Sequence, residues 1–249
     1  MMAASGKAGW DKLFPPVMPG FTQVPFGDAA AVAEKIHAGT VAVMVEPIQG
    51  EAGVIVPPPG YLQALREITE RAGILLILDE VQTGIGRTGT MFAFEQHAIT
   101  PDLVTLGKGL GGGVPISAVL ASEPASCFAH GDQGGTYNGN PLMTAVANTV
   151  VNIVNTPEFL GTVIQRGEQL KVGLTQLVEQ HGYLEVRGAG LLLAIKLQHD
   201  NAATIAQTCF DQGLLINAPR ADTLRLMLSL RVSETEISSA LVTLNAAMR

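Results

Sequence analysis

Two acidic residues close one apolar run, and a lysine closes another. The first run is Gly73-Ile74-Leu75-Leu76-Ile77-Leu78-Asp79-Glu80. The second is Leu103-Val104-Thr105-Leu106-Gly107-Lys108, with Gly109 and the triplet Gly111-Gly112-Gly113 behind it. Short apolar runs of this kind predict strands buried on both faces. A charge at the end of such a strand is costly unless something pairs with it. A carboxylate can keep a ring nitrogen protonated, and a lysine amine can form an imine with an aldehyde. A pyridine-type cofactor bearing an aldehyde would therefore satisfy Asp79 and Lys108 together. Each residue alone has a plainer reading, as a helix cap, an ion-pair member or an exposed lysine in a glycine loop. The combination of Asp79, Lys108, the glycines and the strand ends weakens it.

Other candidates stand beside this pair. Gly134-Gly135-Thr136-Tyr137-Asn138-Gly139-Asn140-Pro141 reads either as a polar loop or as a phosphate cradle, with the Thr136 hydroxyl and backbone N–H groups as donors. Arg225, between Leu224 and Leu226, reads either as an outward strand residue or as a fork for a substrate carboxylate. Gly84-Ile85-Gly86-Arg87-Thr88-Gly89 matches the dinucleotide-loop pattern literally. It neither leaves a strand directly nor has the acidic residue expected ~20 positions later, so it is read as a glycine loop of another kind. Asp79-Glu80 resembles the acidic end of an ATPase strand, but no G-x-x-x-x-G-K-[ST] loop accompanies it. His37, His97, His130, His181 and His199 are scattered without metal-ligand spacing, and no metal site is predicted.

The elements that must position these residues alternate. Residues 1–26, with four prolines, predict an irregular lead-in. Asp28 is placed to cap a helix through about His37. A strand at 41–45 stops at Glu46-Pro47. Pro57-Pro58-Pro59 introduces a helix with Tyr61, Leu62, Leu65 and Ile68 on one face and Gly73 as its stop. Strands at 74–78, 103–106 and 116–121 follow, with a helical turn near 91–97. Asp79 and Lys108 are separated by what one strand–helix–strand crossover takes, ~30 residues. The pattern predicts an α/β fold, a mostly parallel sheet with helices on both faces. Ligands in such sheets sit beyond the carboxyl ends of the strands, where Glu46, Asp79 and Lys108 lie. After Pro141 the texture changes to long helices, through Ile153 and from Glu158 to His181. Short strands are expected at 191–197, 214–217 and 224–228, and a last helix is opened by the capping box Ser233-Glu234-Thr235-Glu236. A boundary near 150 would separate a cofactor-binding part (1–150) from a C-terminal α+β domain (151–249).

Composition narrows the classes. Of 249 residues, 47% are hydrophobic and 15% charged, enough for a substantial core. The net charge is −7 and no basic cluster stands out, which argues against a nucleic-acid partner. Mean hydropathy is +0.30, fitting a largely buried core, with room for an apolar subunit interface. No apolar run approaches the ~20 residues of a membrane helix, and Met1 to Lys7 do not read as a signal peptide. Cys127 and Cys209 have no metal spacing and read as reduced thiols, so a cytoplasmic protein is expected.

Several runs resemble the class III (ornithine-type) aminotransferases. They are Glu46-Pro47-Ile48-Gln49-Gly50-Glu51, Leu78-Asp79-Glu80-Val81-Gln82-Thr83-Gly84 with Gly86-Arg87-Thr88-Gly89, and Thr105-Leu106-Gly107-Lys108-Gly109. Gly131 to Pro141 and Leu215-Ile216-Asn217-Ala218-Pro219-Arg220 look most like acetylornithine-type members. The resemblance covers nearly the whole chain. It implies the type I fold of enzymes that use pyridoxal 5′-phosphate, with a homodimer sharing its active sites. It also implies transfer of an amino group from N-acetylornithine or a similar ω-amine to 2-oxoglutarate, as in arginine biosynthesis. Lys108 then matches the lysine that forms a Schiff base with the cofactor, and Asp79 the partner of its ring nitrogen. Gln82 matches the amide near its phenolic oxygen, and Thr136 the threonine on the phosphate of the partner subunit's cofactor. Arg225 matches the arginine for the substrate α-carboxylate, Glu51 the acid that masks it, and Glu46 is given a supporting role.

The chain departs from the family at its front. The small-residue phosphate loop, a stacking aromatic and substrate contacts that members carry ahead of the stretch matching Ala3 to Lys7 have no counterpart. An N-terminally truncated member is therefore expected. Leu228 also stands where members have proline. A catalytically silent member, an aminotransferase for another ω-amine (ornithine, succinylornithine, 4-aminobutyrate) and an aminomutase are the alternative readings.

Overall fold

The computed structural model describes residues 2–6, 9–13 and 15–249, apart from the side chains of Met2 and Asp11. Met1, Lys7, Ala8 and Phe14, part of the expected irregular lead-in, lie outside the described residues. The rest of that lead-in holds a 3-10 turn at Met2–Ala4 and a single helical turn, α1 (Trp10–Leu13).

The first sheet forms where the apolar runs predict it. Asp28 caps α2 (Ala29–Lys35) by accepting from Ala31 N at 2.9 Å. Then come β1 (Ala42–Val45), α3 (Tyr61–Ala72), β2 (Leu75–Asp79), β3 (Leu103–Leu106) and β4 (Ala118–Ala121). Gly73 stops α3 in the left-handed conformation, φ 65°, which favours glycine. The order is β1-β2-β3-β4, parallel except for β4, which runs antiparallel to β3.

Register sets the faces of this sheet. Val45 pairs with Leu78 and Leu78 with Val104, so these side chains point to one side. On that side Leu76 and Leu78 pack with Leu62 and Leu65 of α3 and with Val32 of α2. Val104 and Leu106 cluster with Ala147 and Val154, both on α4 (Pro141–Val154). The opposite side carries Met44, Ile77, Asp79, Thr105 and Val119. Ile77, Asp79 and Thr105 are only half-buried, and Met44 and Val119 are exposed. Burial of the charge-bearing strands on both faces, expected from their apolar runs, thus holds for one face. Asp79 lies on the more open one.

The second sheet is wholly antiparallel. After α5 (Pro157–His181) come β5 (Glu185–Ala189), β6 (Leu192–Lys196), α6 (Ala202–Asp211), β7 (Asn217–Arg220), β8 (Thr223–Leu226) and α7 (Glu234–Ala247), with strand order β5-β6-β8-β7. The sheet backs onto α5, α6 and α7 through Leu170, Leu174, Ile195, Ile205, Leu224, Ile237 and Leu244, the largest apolar cluster. The capping box at Ser233 and Glu236 opens α7 as its sequence predicts. Strand β7 starts where 214–217 was expected to end, because Ala221-Asp222 forms the tight turn into β8. Residue 150 falls inside α4.

The two sheets are sewn together at loop 84–89. Arg87 is largely buried and donates to the carbonyls of Leu191 and Leu228, while Leu191 N donates back to Arg87 O at 3.0 Å. A Cβ on Gly190 would come within 2.6 Å of Arg87 O, so the hairpin approaches this loop backbone to backbone. The literal G-x-G-x-x-G run is therefore a structural joint.

Candidate active site

The carboxyl ends of β1, β2 and β3 line up. Glu46 follows β1, Asp79 ends β2, and Gly107-Lys108 follow β3, whose Thr105 pairs with Asp79. Asp79 Oδ1 accepts from Val81 N at 3.1 Å, which fixes the turn leaving the strand. Its neighbour Glu80 points into the interior at 1% exposure. There it accepts from Ala93 N, Phe94 N and Thr83 Oγ1 at 2.8–2.9 Å. Burial raises the Glu80 carboxyl above the usual range against these bonds. The two acids thus separate, one toward the site and one into the scaffold.

Lys108 is exposed rather than buried. Its backbone sits at φ 43°, a left-handed conformation that a non-glycine residue adopts at a cost of about 1–2 kcal/mol. The strain is held by the 3-10 turn Lys108–Gly111, in which Leu110 N bonds Gly107 O at 2.9 Å, and by Leu110, buried at its centre.

A turn between β1 and α3 brings in the other acids. Gln49 and Ile55 pair as an antiparallel bridge. Gly50 N donates to Glu46 Oε2 at 3.2 Å. Glu51 Oε1 accepts from Gln82 Nε2 at 2.7 Å and from Arg225 Nη1 at 2.9 Å, and Arg225 Nη1 also reaches Gly50 O at 3.0 Å. Gly50 leaves space for the Gln82 amide, since a Cβ would lie 1.9 Å from Gln82 Oε1. Arg225 is inward-facing, its side chain 10% exposed, whereas that of Glu51 is 73% exposed.

Electrostatics tie the cluster together. Burial lifts the Glu46 carboxyl above its ordinary range. The Gly50 N–H opposes this, the Asp79 and Glu51 charges add to it, and Lys108 draws it back. Glu51 moves the other way: its bond to Arg225 holds it below the ordinary range, burial opposes, and Gln82, the Arg225 charge and Lys108 assist. Of the seven residues singled out in the sequence, Glu46, Glu51, Asp79, Gln82, Lys108 and Arg225 therefore converge. Thr136 does not join them within one chain. It lies in loop 126–139, exposed throughout, ahead of the Asn140 cap of α4.

Three buried polar atoms here lack a hydrogen-bond partner: Gln82 Oε1, Thr105 Oγ1 and Arg225 Nε. Buried polar atoms are seldom left unpaired, so these fit a site shaped for a polar ligand. Among the described residues no group of His, Cys, Asp and Glu is arranged to hold a metal.

The aminotransferase class-III family model matches residues 1–248. The chain belongs to the class III aminotransferases. Enzymes of this family depend on pyridoxal 5′-phosphate. Acetylornithine aminotransferase 2 of Bordetella parapertussis is 47% identical over 250 residues, matching 99% of this chain and 63% of that protein. The acetylornithine aminotransferase of Ralstonia nicotianae is 46% identical, with 100% and 63% covered. The class III chain thus spans less than two thirds of these relatives' length. Among solved structures, N-acetylornithine aminotransferase from Stenotrophomonas maltophilia superposes with a TM-score of 0.82 at 38% identity, covering 90% of this chain and 60% of that one. Ornithine aminotransferase from Toxoplasma gondii gives 0.93 at 31% identity, covering 99% and 60%.

Sequence reasoning passed over Arg87 and Gly50. Arg87 is a lone cation among glycines, and Gly50 directly precedes an acid; both were visible only as motif letters.

Proposed function

We propose that the chain carries the active-site residues of an aminotransferase moving an amino group from N-acetylornithine, or a similar ω-amine, to 2-oxoglutarate. The observation that carries this reading is the convergence of Asp79 and Lys108 with the Gln82–Glu51–Arg225 chain around unpaired buried polar atoms. Lys108 would hold the cofactor through its amine, Asp79 would face the ring nitrogen and Gln82 the phenolic oxygen. Thr136 would serve the phosphate of a partner subunit's cofactor in a homodimer. Bound, pyridoxal phosphate supplies an electron sink that makes the proton on the amine-bearing carbon of the donor removable. Lys108 Nζ, once displaced from the cofactor by the incoming amine, would be the base that takes that proton and later returns one. Arg225 grips the α-carboxylate of the substrate, and Glu51 covers Arg225 when that carboxylate is absent. Glu46 sits behind Gly50 and braces the turn that carries Glu51.

The two sheets support a division into a partial cofactor-binding part, 1–150, and a C-terminal part, 151–249. No helix of the described residues is long and apolar enough to cross a membrane, in keeping with a cytoplasmic location. Exposure of Lys108 and Thr136 favours a second reading, a family member that folds without turning over substrate.

One experiment separates them. The purified chain is mixed with pyridoxal phosphate and scanned for the visible band of the lysine-linked cofactor, then Lys108→Ala is treated alike. A band lost in the variant and bleached by N-acetylornithine supports the proposed activity. No band in either protein sinks it, and a band kept in the variant moves the linkage to another lysine.

A further inference from the structure

The turn that carries Glu51 is gripped by three guanidinium groups from the second sheet. Arg225 of β8 donates to Gly50 O at 3.0 Å, Arg220 of β7 donates to Ala52 O at 3.3 Å, and Arg187 of β5 donates to Gly53 O through Nε at 3.1 Å and Nη2 at 2.9 Å. Three carbonyls of one turn, those of Gly50, Ala52 and Gly53, are thus bound from three strands of the other sheet, β8, β7 and β5. Val54 adds an apolar plug. It is fully buried against Ile48 and against Leu192 and Ala194 of β6. Its φ of 57° is rare for a β-branched residue and persists only where the surroundings impose it. Gly53, at φ 107°, leaves room for Arg187 and Thr223, which a Cβ would approach at 3.3 Å. Glu51 is the exposed member of this turn; Gly50, Gly53 and Val54 are buried and Ala52 is half-buried.

We propose that Arg187, with Arg220, is a positioning residue for the Glu51–Arg225 pair, locking the turn to the second sheet so that the acid and the arginine it covers ride on one rigid unit. This rests on the proposed role of Arg225 in holding a substrate carboxylate. Its consequence is specific. Unmasking Arg225 needs only a swing of the solvent-facing Glu51 side chain, with the backbone of the turn fixed. Arg187 is suited to the task because a planar fork can hold one carbonyl through two N–H groups, which an ammonium cannot. Glu185 pairs with it at 2.8 Å on the solvent side and keeps it aimed.

The test reads the Glu51 carboxylate directly, by carbon-detected NMR titration with the resonance assigned through Glu51→Gln. The groups facing Glu51 are Arg225, Gln82, Lys108 and Glu46. In the unaltered chain Glu51 should titrate below the ordinary glutamate range. Arg225→Gln should move it upward, and Arg187→Gln should move it part of the same way, with Arg187→Lys and Arg220→Gln shifting it less. A folded Arg187→Gln protein in which Glu51 titrates as in the unaltered chain overturns the proposal. Should that variant not fold, unchanged titration in Arg187→Lys and Arg220→Gln overturns it equally. The titration needs neither cofactor nor substrate. A chain that binds no pyridoxal phosphate would therefore sink the proposed activity and leave this result standing.

Discussion

Gln82 and Arg225 meet on a single oxygen, Glu51 Oε1, at 2.7 and 2.9 Å. One donor comes from the loop after β2 of the first sheet and the other from β8 of the second. Glu51 is thus the bridge between the part of the site that would hold the cofactor and the part that would hold the substrate.

That bridge titrates. Because Glu51 has its carboxyl held below the unfolded value, its pairing contributes stability above that value, about 4.3, and loses it as pH falls through the folded one. The stability difference between the unaltered chain and Glu51→Gln should be largest near neutrality and vanish in acid. It should stay under about 1 kcal/mol, since the carboxylate is mostly solvated. Urea unfolding across pH 3–7 measures it. In a cofactor-loaded chain the same variant should bind a dicarboxylate about fivefold more tightly, as Arg225 is no longer neutralised.

Gly50→Ala should act on Gln82 alone. The new Cβ would collide with Gln82 Oε1 and Cδ at 1.9 and 2.6 Å. The amide is a side-chain end that can swing away, so the loss of stability should be about 1–2 kcal/mol. The bond to Glu51 would go with it. The expected outcome is a shifted cofactor absorbance with an unfolding midpoint lowered by a few degrees, seen by parallel absorbance and circular dichroism.

Lys108 carries backbone strain. Lys108→Gly should be as stable as Lys108→Ala or better, by up to about 1 kcal/mol, because glycine accepts φ 43° freely. Elsewhere the same pair of substitutions would rank the other way. Chemical denaturation of both proteins decides it.

Arg87→Ala should be the costliest of these changes. It removes the donor to Leu191 O and Leu228 O and unpins the hairpin from loop 84–89. A loss of about 2–3 kcal/mol is expected, with Arg87→Lys recovering part. Burial alone pulls the Arg87 guanidinium down to about 10. Its folded value therefore lies below the unfolded one, and the cost of the buried charge is constant below that pH and eases above it. The difference from Arg87→Ala should be flat between pH 6 and 8.

Much of the first sheet was legible because its strands are short apolar runs with charges at their ends: β3 begins and ends where Leu103 and Leu106 mark it. The β5 strand was not, since Glu185, Arg187 and Gly188 interrupt any apolar pattern. Gly188 marks instead a close approach, where a Cβ would sit 2.0 Å from Leu192 O. Helix α6 escaped because Ala, Thr and Gln fill it and Asn201 gives no side-chain cap. Within the site, Asp79 and Lys108 could be read from spacing, as they lie one and two residues beyond apolar runs. The pairing of Glu51 with Arg225 spans 174 positions and no local pattern encodes it; only the family resemblance pointed there. The depth of Lys108 was misjudged for a physical reason, since strand burial does not extend to a residue displaced onto a left-handed turn.

The reach of Arg225 back to Glu51 also fixes an order of events during synthesis. Glu46 to Lys108 leave the ribosome over about 3–12 s, and Arg225 follows roughly 120 residues after Lys108, a further delay of about 6–25 s at ordinary elongation rates. Through that interval a nascent chain can assemble the acids and the lysine with Glu51 answered by Gln82 alone. Its guanidinium partner, and the sheet that grips its turn, arrive last.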